Sequence, residues 1–405
     1  MNRNQRLRIV VTGLAATYPF GGVFWDYMQY VLGFKRLGHD VLYLEDTGQW
    51  CYSPAQQTFV EAGDDNARVL AEHITRLDPD LADRWCYRDA TERAHGLDWA
   101  QAQRFCREAD VFVNISAACR MRDVYHEAAR TVFIDSDPMY TQASVPEAAR
   151  GEAEEAEAER VAAIARHDVF FTFGLNVGQS DCRIPTELFE WHPTVQPILL
   201  DWFDRVARPI GARRPMLTTV ASWEPREDGP VVDGVTYRGK SVEFERFIDL
   251  PRRSALPLEL ALSGDYPAQR LAEHGWHVVP APSISHDPWV YADYLADSLG
   301  EWSVAKNAYV AGRTGWFSCR SACYLAAGVP AVVQSTGFEP MIPTGQGLLS
   351  FNTLDDAVAA IDAVASDPQR HSTAARELAR THFASDDVLA SLLDRVFASQ
   401  SHVQA

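Results

Sequence analysis

Residues 321–338 read SACYLAAGVPAVVQSTGF, and this stretch decides the fold. Its first part has the small residues of a tightly packed helix, and Gly328 followed by Pro330 is a typical helix stop signal. The next residues, PAVVQS, form an apolar run typical of a strand buried on both faces. A turn at Thr336 and Gly337 follows. The stretch therefore predicts a helix–strand unit of an α/β protein, a unit that often lies beside a phosphorylated ligand.

The same alternation of strands and helices extends along the chain in both directions. Apolar runs typical of buried strands recur at residues 7–15, 39–46, 109–116, 130–137 and 167–174 in the first half, and at 215–222, 256–264, 275–281, 300–307 and 330–335 in the second. Segments with the apolar spacing of helices separate most of these runs. The pattern predicts an α/β protein with two Rossmann-like, doubly wound domains.

The chain has 405 residues, which is long enough for two domains. A segment with several prolines and little periodicity separates the two α/β series. We expect an N-terminal domain at residues 1–195, a linker at 196–214, a C-terminal domain at 215–385, and a C-terminal helix and tail at 386–405. The charge-rich segment at 150–168 is typical of a solvated helix.

Composition restricts the classes of partner. The formal net charge of −18 disfavours nucleic acid or an anionic membrane surface, because both repel an acidic protein. An anionic ligand then needs locally placed arginines, lysines or helix N-termini. The seven cysteines are scattered and form no CxxC pair, which favours reduced thiols in a cytoplasmic protein over a zinc site or a disulfide scaffold. No run approaches the roughly 20 apolar residues that cross a bilayer.

The order and spacing of several motifs resemble those of GT-B-fold glycosyltransferases of the retaining-type superfamily. The motifs are YLAAGVPAVVQSTGFEPMIPTGQGLLSF at 324–351, NTLDDAVAAIDAVASDP at 352–368, and GGVFWDYMQYVLGFKRLGHDVLYLE at 21–45. The resemblance implies a divergent member whose two domains face a cleft. It implies a nucleotide-sugar donor on the C-terminal domain and a small-molecule or glycan acceptor on the N-terminal domain. Two alternatives stay open, an epimerase that converts a sugar nucleotide in place and a non-catalytic protein that binds a sugar nucleotide or a partner.

The segment TGWFSCRSACYLAAG at 314–328 is the first candidate for donor binding. It places Ser318, Arg320 and Ser321 at a helix start. Free backbone N–H groups, two hydroxyls and a guanidinium suit a diphosphate. The alternative is that the serines only cap the helix and that Arg320 lies on the surface.

Further candidates for donor binding follow predicted strands or lie in turns. Lys240 and Lys306 would neutralise the donor diphosphate, and each could instead be an ordinary surface lysine. Gly21 and Gly22 would allow close backbone approach to a ligand, or simply form a turn. The other predicted donor-binding residues are Ser222, Trp223, Gly337 and Glu339, and the predicted sugar-stacking residues are Trp223 and Trp316.

Three residues are predicted to be catalytic, each as a candidate base for the acceptor: Asp137, Asp135 and His95. The two aspartates close a predicted strand, at a carboxyl end where active groups collect. Glu45 and Asp46 close an earlier strand and are further candidates. The Asp-Ser-Asp sequence also fits the metal-binding signature of the other major glycosyltransferase fold, GT-A. The order of elements favours GT-B, so we expect no metal and no cofactor.

Cys323 departs from the family that the chain resembles. Related proteins usually have a glutamate five residues before the glycine of this motif, where it accepts hydrogen bonds from the nucleotide ribose. A thiol is a weak acceptor and behaves as a small hydrophobe. Either another residue holds the ribose or the donor is handled differently. Improved donor affinity in Cys323→Glu would favour the first explanation.

Overall fold

The computed structural model describes residues 5–223 and 229–398. In chain order the strands are β1 Arg8–Thr12, β2 Asp40–Asp46, β3 Cys51–Ser53, β4 Thr58–Val60, β5 Trp85–Arg88, β6 Ala94–Gly96, β7 Val111–Ile115, β8 Thr131–Asp135, β9 Val169–Thr172, β10 Trp191–Pro193, β11 Arg214–Trp223, β12 Val231–Val232, β13 Val235–Thr236, β14 Leu258–Gly264, β15 His277–Pro280, β16 Ser298–Ser303, β17 Ala331–Gln334 and β18 Leu348–Phe351. The α-helices are α1 Gly21–Arg36, α2 Asp64–Leu77, α3 Trp99–Arg107, α4 Val145–Arg150, α5 Glu155–Ala165, α6 Leu200–Val206, α7 Lys240–Glu245, α8 Ala268–Glu273, α9 Pro282–Ser285, α10 Pro288–Ala296, α11 Asn307–Ala311, α12 Cys319–Ala326, α13 Leu354–Ser366, α14 Pro368–Phe383 and α15 Ser385–Ala398.

Two large sheets organise the described residues. The first has eight strands in the order β10-β9-β8-β7-β1-β2-β5-β6, all parallel except the edge strand β6. The second has six parallel strands in the order β15-β14-β11-β16-β17-β18. We call the first sheet with its helices the N-terminal half and the second with its helices the C-terminal half. The predicted pair of Rossmann-like units is therefore confirmed.

The strand order of each sheet reverses next to its first strand. In the N-terminal half β1 lies between β2 and β7, and in the C-terminal half β11 lies between β14 and β16. Such a reversal leaves a crevice outside the carboxyl ends of the strands, where the connecting chains diverge to opposite faces. The central strands are apolar because helices cover both of their faces, and every residue of β7, β8 and β17 is buried.

The two halves share one continuous apolar core. It runs from the first sheet through α1 into α10, α12 and α15. The predicted linker at 196–214 contains α6, whose Trp202 and Phe203 pack on Trp25 of α1. The final helix returns to the N-terminal half, where α15 packs on α1. The backbone N–H of Ile198 donates to the carbonyl of Phe383, which ties the connection between the halves to the end of α14.

Two local details differ from the expectations. The charge-rich segment at 150–168 forms the shorter helix α5, because Gly151 has a left-handed backbone and ends α4 before it. The sequence of residues 239–250 predicts a helix along this whole segment, whereas the structure has only the short α-helix α7 there. Within residues 5–223 and 229–398, no helix has the length and apolar character needed to cross a membrane.

Candidate functional site

Two residues predicted for different roles meet where the halves face each other. Asp137 follows β8, and Lys306 follows β16. The Lys306 ammonium donates to both carboxylate oxygens of Asp137, at 3.1 Å and 2.8 Å. The hydroxyl of Tyr309 donates to the same carboxylate. The Lys306 ammonium also lies 4.5 Å from the ring centre of Tyr140, within the range of a cation–π contact.

Asp135 supports the loop that carries Asp137. It is fully buried and accepts hydrogen bonds from the side chains of Thr141, Gln142 and Thr172 at 2.6–2.7 Å. Burial raises the pKa of Asp135 against the opposing effect of these donors. A carboxylate enclosed by three donors positions a loop and is shielded from a substrate. The structure therefore assigns Asp135 to support of the site, in place of the predicted role as a base.

A tryptophan of the C-terminal half, Trp316, also contacts the loop that carries Asp137. The indole Nε1 of Trp316 donates to the carbonyl of Ser136 at 3.1 Å, and the Trp316 ring stacks on Tyr309 at 4.4 Å. Trp316 therefore lies at the site, but one face of its ring is covered by Tyr309. The predicted sugar stacking would have to use the remaining edge or face.

Near the start of α12, among the described residues, one buried hydroxyl group lacks a hydrogen-bond partner. Ser318 is the N-cap residue, and its side chain makes no capping hydrogen bond within the described residues. The hydroxyl of Ser321 is buried and has no partner in the part of the chain that the structure describes. A buried hydroxyl without a partner is costly, so a ligand oxygen near this helix start would be favourable.

Arg320 occupies neither of the two predicted positions, at a donor diphosphate or on the surface. Its Nε donates to Glu301 of β16 at 2.9 Å, and its Nη1 donates to the carbonyl of Val220 in β11 at 2.7 Å. The side chain is only 13% exposed. Arg320 therefore neutralises a buried glutamate between two strands, and it is neither on the surface nor extended toward a ligand.

Three of the predicted donor-binding residues, Ser222, Trp223 and Lys240, are neighbours in the structure. They line one small cavity at the carboxyl end of β11, beside Thr219 and Ser303. Trp223 packs edge-on against Phe244 at 5.2 Å. The cavity holds about 20 Å³. A nucleotide would enter only if neighbouring side chains or the two halves moved.

The paired glycines Gly21 and Gly22 at the start of α1 allow close packing between helices. A Cβ on Gly21 would lie 2.6 Å from the Cβ of Tyr291 in α10, and a Cβ on Gly22 would lie 3.4 Å from the same tyrosine's hydroxyl. Glycine is therefore needed at position 21 because α1 and α10 approach closely. In this structure both residues face α10, whereas the sequence suggested either a close approach to a ligand or a simple turn.

Gly337 and Glu339 lie in the turn after β17. The backbone of Gly337 has φ = +94°, which favours glycine. A Cβ at Gly337 would lie 3.3 Å from the side chain of Asn176, so the N-terminal half covers this turn. Glu339 is partly buried beside it.

The remaining candidate bases have structural roles. His95 lies in the edge strand β6, where its Nε2 is 2.9 Å from Asp89 and its ring stacks on Tyr87. The Glu45 carboxylate accepts hydrogen bonds from backbone N–H groups of the loop after β1. The Asp46 carboxylate accepts a hydrogen bond from the Tyr125 hydroxyl at 2.6 Å. None of these contacts involves the C-terminal half.

Cys323 faces the N-terminal half. It is buried, with its sulfur 3.8 Å from the amide Nε2 of Gln29 in α1. The position at which the resemblance implies a ribose-binding glutamate is therefore part of the packed contact between α12 and α1.

Sequence reasoning missed Asp26, on the face of α1 that meets α12. Its carboxyl hydrogen-bonds with the thiol of Cys319 and lies near the charge of Arg320. Gln196 donates to the Asp26 carbonyl at 2.9 Å and accepts from Cys319 at 3.3 Å. Burial raises the pKa of Asp26 to about 7, with the thiol and Arg320 opposing the rise. No local signal indicated this role, because residue 26 lies two positions from both Phe24 and Met28 and so points to the other side of α1 from these buried residues.

No group of three or more His, Cys, Asp or Glu side chains that could hold a metal ion occurs among residues 5–223 and 229–398. The expectation of a reaction without a metal stays a prediction.

Comparisons with known proteins bear on the fold. No family model and no curated protein matches the chain. Similar solved structures include an alpha-glucosyltransferase in complex with UDP and a 13-mer DNA, with 11% identity, a TM-score of 0.60, and coverage of 97% of this chain and 99% of that chain. AviGT4, a glycosyltransferase involved in avilamycin A biosynthesis, has 12% identity and a TM-score of 0.53 over 98% of this chain and 99% of that one.

A sucrose-phosphate synthase from Thermosynechococcus elongatus is also similar, with 10% identity and a TM-score of 0.50 over 97% of this chain and 100% of that chain. These identities are low, so the likeness concerns the arrangement of the chain. This chain has the GT-B fold.

Proposed function

We propose that the protein is a glycosyltransferase that moves a sugar from a nucleoside-diphosphate donor to a small-molecule or glycan acceptor. The observation that carries this proposal is the contact between Lys306 and Asp137. It joins a cation that suits a leaving diphosphate to a carboxylate that suits an acceptor hydroxyl. Both residues lie at carboxyl ends of parallel strands, where open α/β sheets bind ligands.

The donor would bind along the C-terminal half. The start of α12, with Ser318 and the unpartnered hydroxyl of Ser321, suits phosphate oxygens. Ser222 and Lys240 line the adjoining cavity. The similar structures that were solved with UDP are consistent with a nucleotide on this fold. The guanidinium of Arg320 is occupied by Glu301 and by the carbonyl of Val220. We therefore expect the positive charge that stabilises the diphosphate to come from the lysines.

Donor binding would exchange the partner of Lys306. Without a ligand, the ammonium is held by Asp137. A diphosphate carries more negative charge than a carboxylate and would compete for the ammonium. Once Lys306 turns toward the donor, Asp137 is available to accept the proton of an acceptor hydroxyl. The same exchange would prevent Asp137 from activating water before the donor is bound.

The acceptor class follows from charge. One similar structure contains DNA, but this chain has a formal net charge of −18, which opposes a polyanionic acceptor. We therefore favour a sugar-like or other small acceptor. We place the reaction in the cytoplasm, since all seven cysteines are free thiols. We also propose that the lysines make a metal unnecessary.

Calorimetry with UDP, GDP, ADP and dTDP tests the donor site. The lysines of the chain are Lys35, Lys240 and Lys306, which supplies a matched control. We expect Lys240→Ala and Lys306→Ala to weaken binding of the preferred nucleotide, and Lys35→Ala to leave it unchanged. The proposal fails if no nucleoside diphosphate binds, or if the three variants bind alike. Proton NMR of donor incubated without acceptor separates slow hydrolysis, which releases the free sugar, from epimerisation, which changes the coupling pattern of the nucleotide-bound sugar.

A further inference from the structure

A cavity of about 470 Å³ lies between the halves on one side of the Asp137–Lys306 pair. The N-terminal half contributes Tyr140 and residues of α4 and α5. The C-terminal half contributes Pro230 and Val231 at the β12–β13 hairpin. The volume is within the usual range for small-molecule sites. Val231 is 51% exposed, so an apolar side chain faces this space.

Tyr140 connects the cavity to the proposed reaction site. One of its contacts is the Lys306 ammonium, and the same residue lines the cavity. Arg160, which also lines the cavity, donates to the carbonyl of Thr141, and the Thr141 hydroxyl donates to Asp135. The cavity wall and the loop that carries Asp137 are therefore one hydrogen-bonded unit.

The polar wall of the cavity is acidic. Glu147 and Glu157 line it, together with Ser144 and Arg160. Arg160 is already paired with Glu157 at 2.7 Å. The hydrogen bonds from Ser144 and Arg160 lower the pKa of Glu157, so this carboxylate stays charged. Because Arg160 and Glu157 neutralise each other, the net negative charge of the cavity lining comes from Glu147. This carboxylate could attract a positively charged ligand.

From this geometry we propose that the cavity binds the acceptor, and that the acceptor is a polyhydroxylated ring that carries an amino group. The inference rests on the proposed function and adds the location and class of the second substrate. The rim carboxylate suits an ammonium, and Ser144 with the Glu157 carboxylate suits ring hydroxyls. Tyr140, Pro230 and Val231 offer the apolar surface that packs against the face of a ring. An acceptor held here would present a hydroxyl toward Asp137.

Ligand-detected NMR without any donor tests this assignment. The probes are glucosamine, galactosamine and 2-deoxystreptamine, each beside its N-acetylated form, which keeps the ring and removes the charge. We expect at least one amine to bind about tenfold more tightly than its acetylated form, and Glu147→Gln to weaken that binding about tenfold. Glu155→Gln, which removes an exposed carboxylate of α5 outside the cavity lining, should leave it unchanged.

The inference is overturned if every amine and its acetylated form bind equally, if none of the probes binds, or if Glu147→Gln binds the amine like the unaltered protein. Nucleoside-diphosphate binding is measured on the same preparations without acceptor. Donor binding together with failure of the amine probes overturns the acceptor assignment alone. Amine binding without donor binding overturns the proposed function and retains the cavity as a ligand site.

Discussion

Lys306 and Asp137 join the two halves of the protein through an ion pair, with the ammonium 2.8 Å from a carboxylate oxygen. Tyr309 and Trp316 reinforce this contact from the C-terminal half. Both members of the pair are roughly one-third to two-fifths exposed. The pair itself therefore adds little stability, and its position matters more than its strength.

Asp137→Asn should abolish most turnover and retain donor binding. Loss of a general base costs about 10²–10⁴-fold in rate. Lys306→Ala should instead weaken nucleotide binding about 10- to 100-fold, since a charged hydrogen bond is lost. Initial rates and calorimetry separate the two effects. His95→Gln is the control and should keep normal turnover. If His95→Gln lost as much turnover as Asp137→Asn, the assignment of His95 to a structural role would be wrong.

Asp135→Ala should lower the free energy of unfolding by about 3–5 kcal/mol, because the buried donors Gln142 and Thr172 and the half-buried donor Thr141 lose their acceptor. Asp137→Asn, at a more exposed position, should change stability by less than about 1 kcal/mol. Urea unfolding of both variants measures the difference. Equal stability of the two variants would contradict the supporting role of Asp135.

Asp26 should make stability depend on pH. Its pKa is about 7 in the folded protein against an ordinary 3.8, so the folded state binds more protons between these values. Stability contributed by the protonated carboxyl is present at low pH and is lost as the pH rises toward 7. At pH 8, Asp26→Asn should be more stable than the unaltered protein by about 1–3 kcal/mol.

Unfolding curves at pH 5 and pH 8 check the effect of Asp26. The advantage of Asp26→Asn should shrink at pH 5. Asp83→Asn, at an exposed aspartate, should show no such difference. An advantage of equal size at both pH values would contradict the proposed titration.

Cys323→Glu should destabilise the protein and give no gain in donor affinity. The side chain is buried against Gln29, and a carboxyl group there would lack good partners. The expected loss is about 2–5 kcal/mol, against about 1 kcal/mol for Cys323→Ala. Urea unfolding and nucleotide calorimetry on both variants provide the measurements. A stable Cys323→Glu protein with tighter nucleotide binding would show that the position faces the donor.

Gly21→Ala should weaken the contact between α1 and α10. The added Cβ would meet the Cβ of Tyr291 at 2.6 Å, and overpacking of this kind costs about 1–3 kcal/mol. Gly211→Ala is the control, because no described atom lies within 4 Å of its added Cβ. Thermal unfolding should separate the two variants. Loss of donor affinity in Gly21→Ala at unchanged stability would support the predicted ligand contact.

The sequence by itself determined the fold class and the order of its elements. Continuous apolar runs can be buried only between two layers of helices, and glycine and proline mark where helices end. These are local signals, so they placed α12 and β17 correctly. The same logic placed Asp137 and Lys306 at strand ends, although nothing in the sequence indicated that they contact each other.

Only the tertiary structure decided what each polar side chain faces. Arg320 and Cys323 lie on the same helix, yet one neutralises a buried glutamate and the other packs against α1. Asp26 and Tyr291 show the same limit, because their surroundings come from the opposite half of the chain. Contacts between the halves join residues far apart in the sequence, and their geometry depends on how the two large sheets and the helices of the described residues pack together. The local spacing of residues in the sequence does not determine that packing.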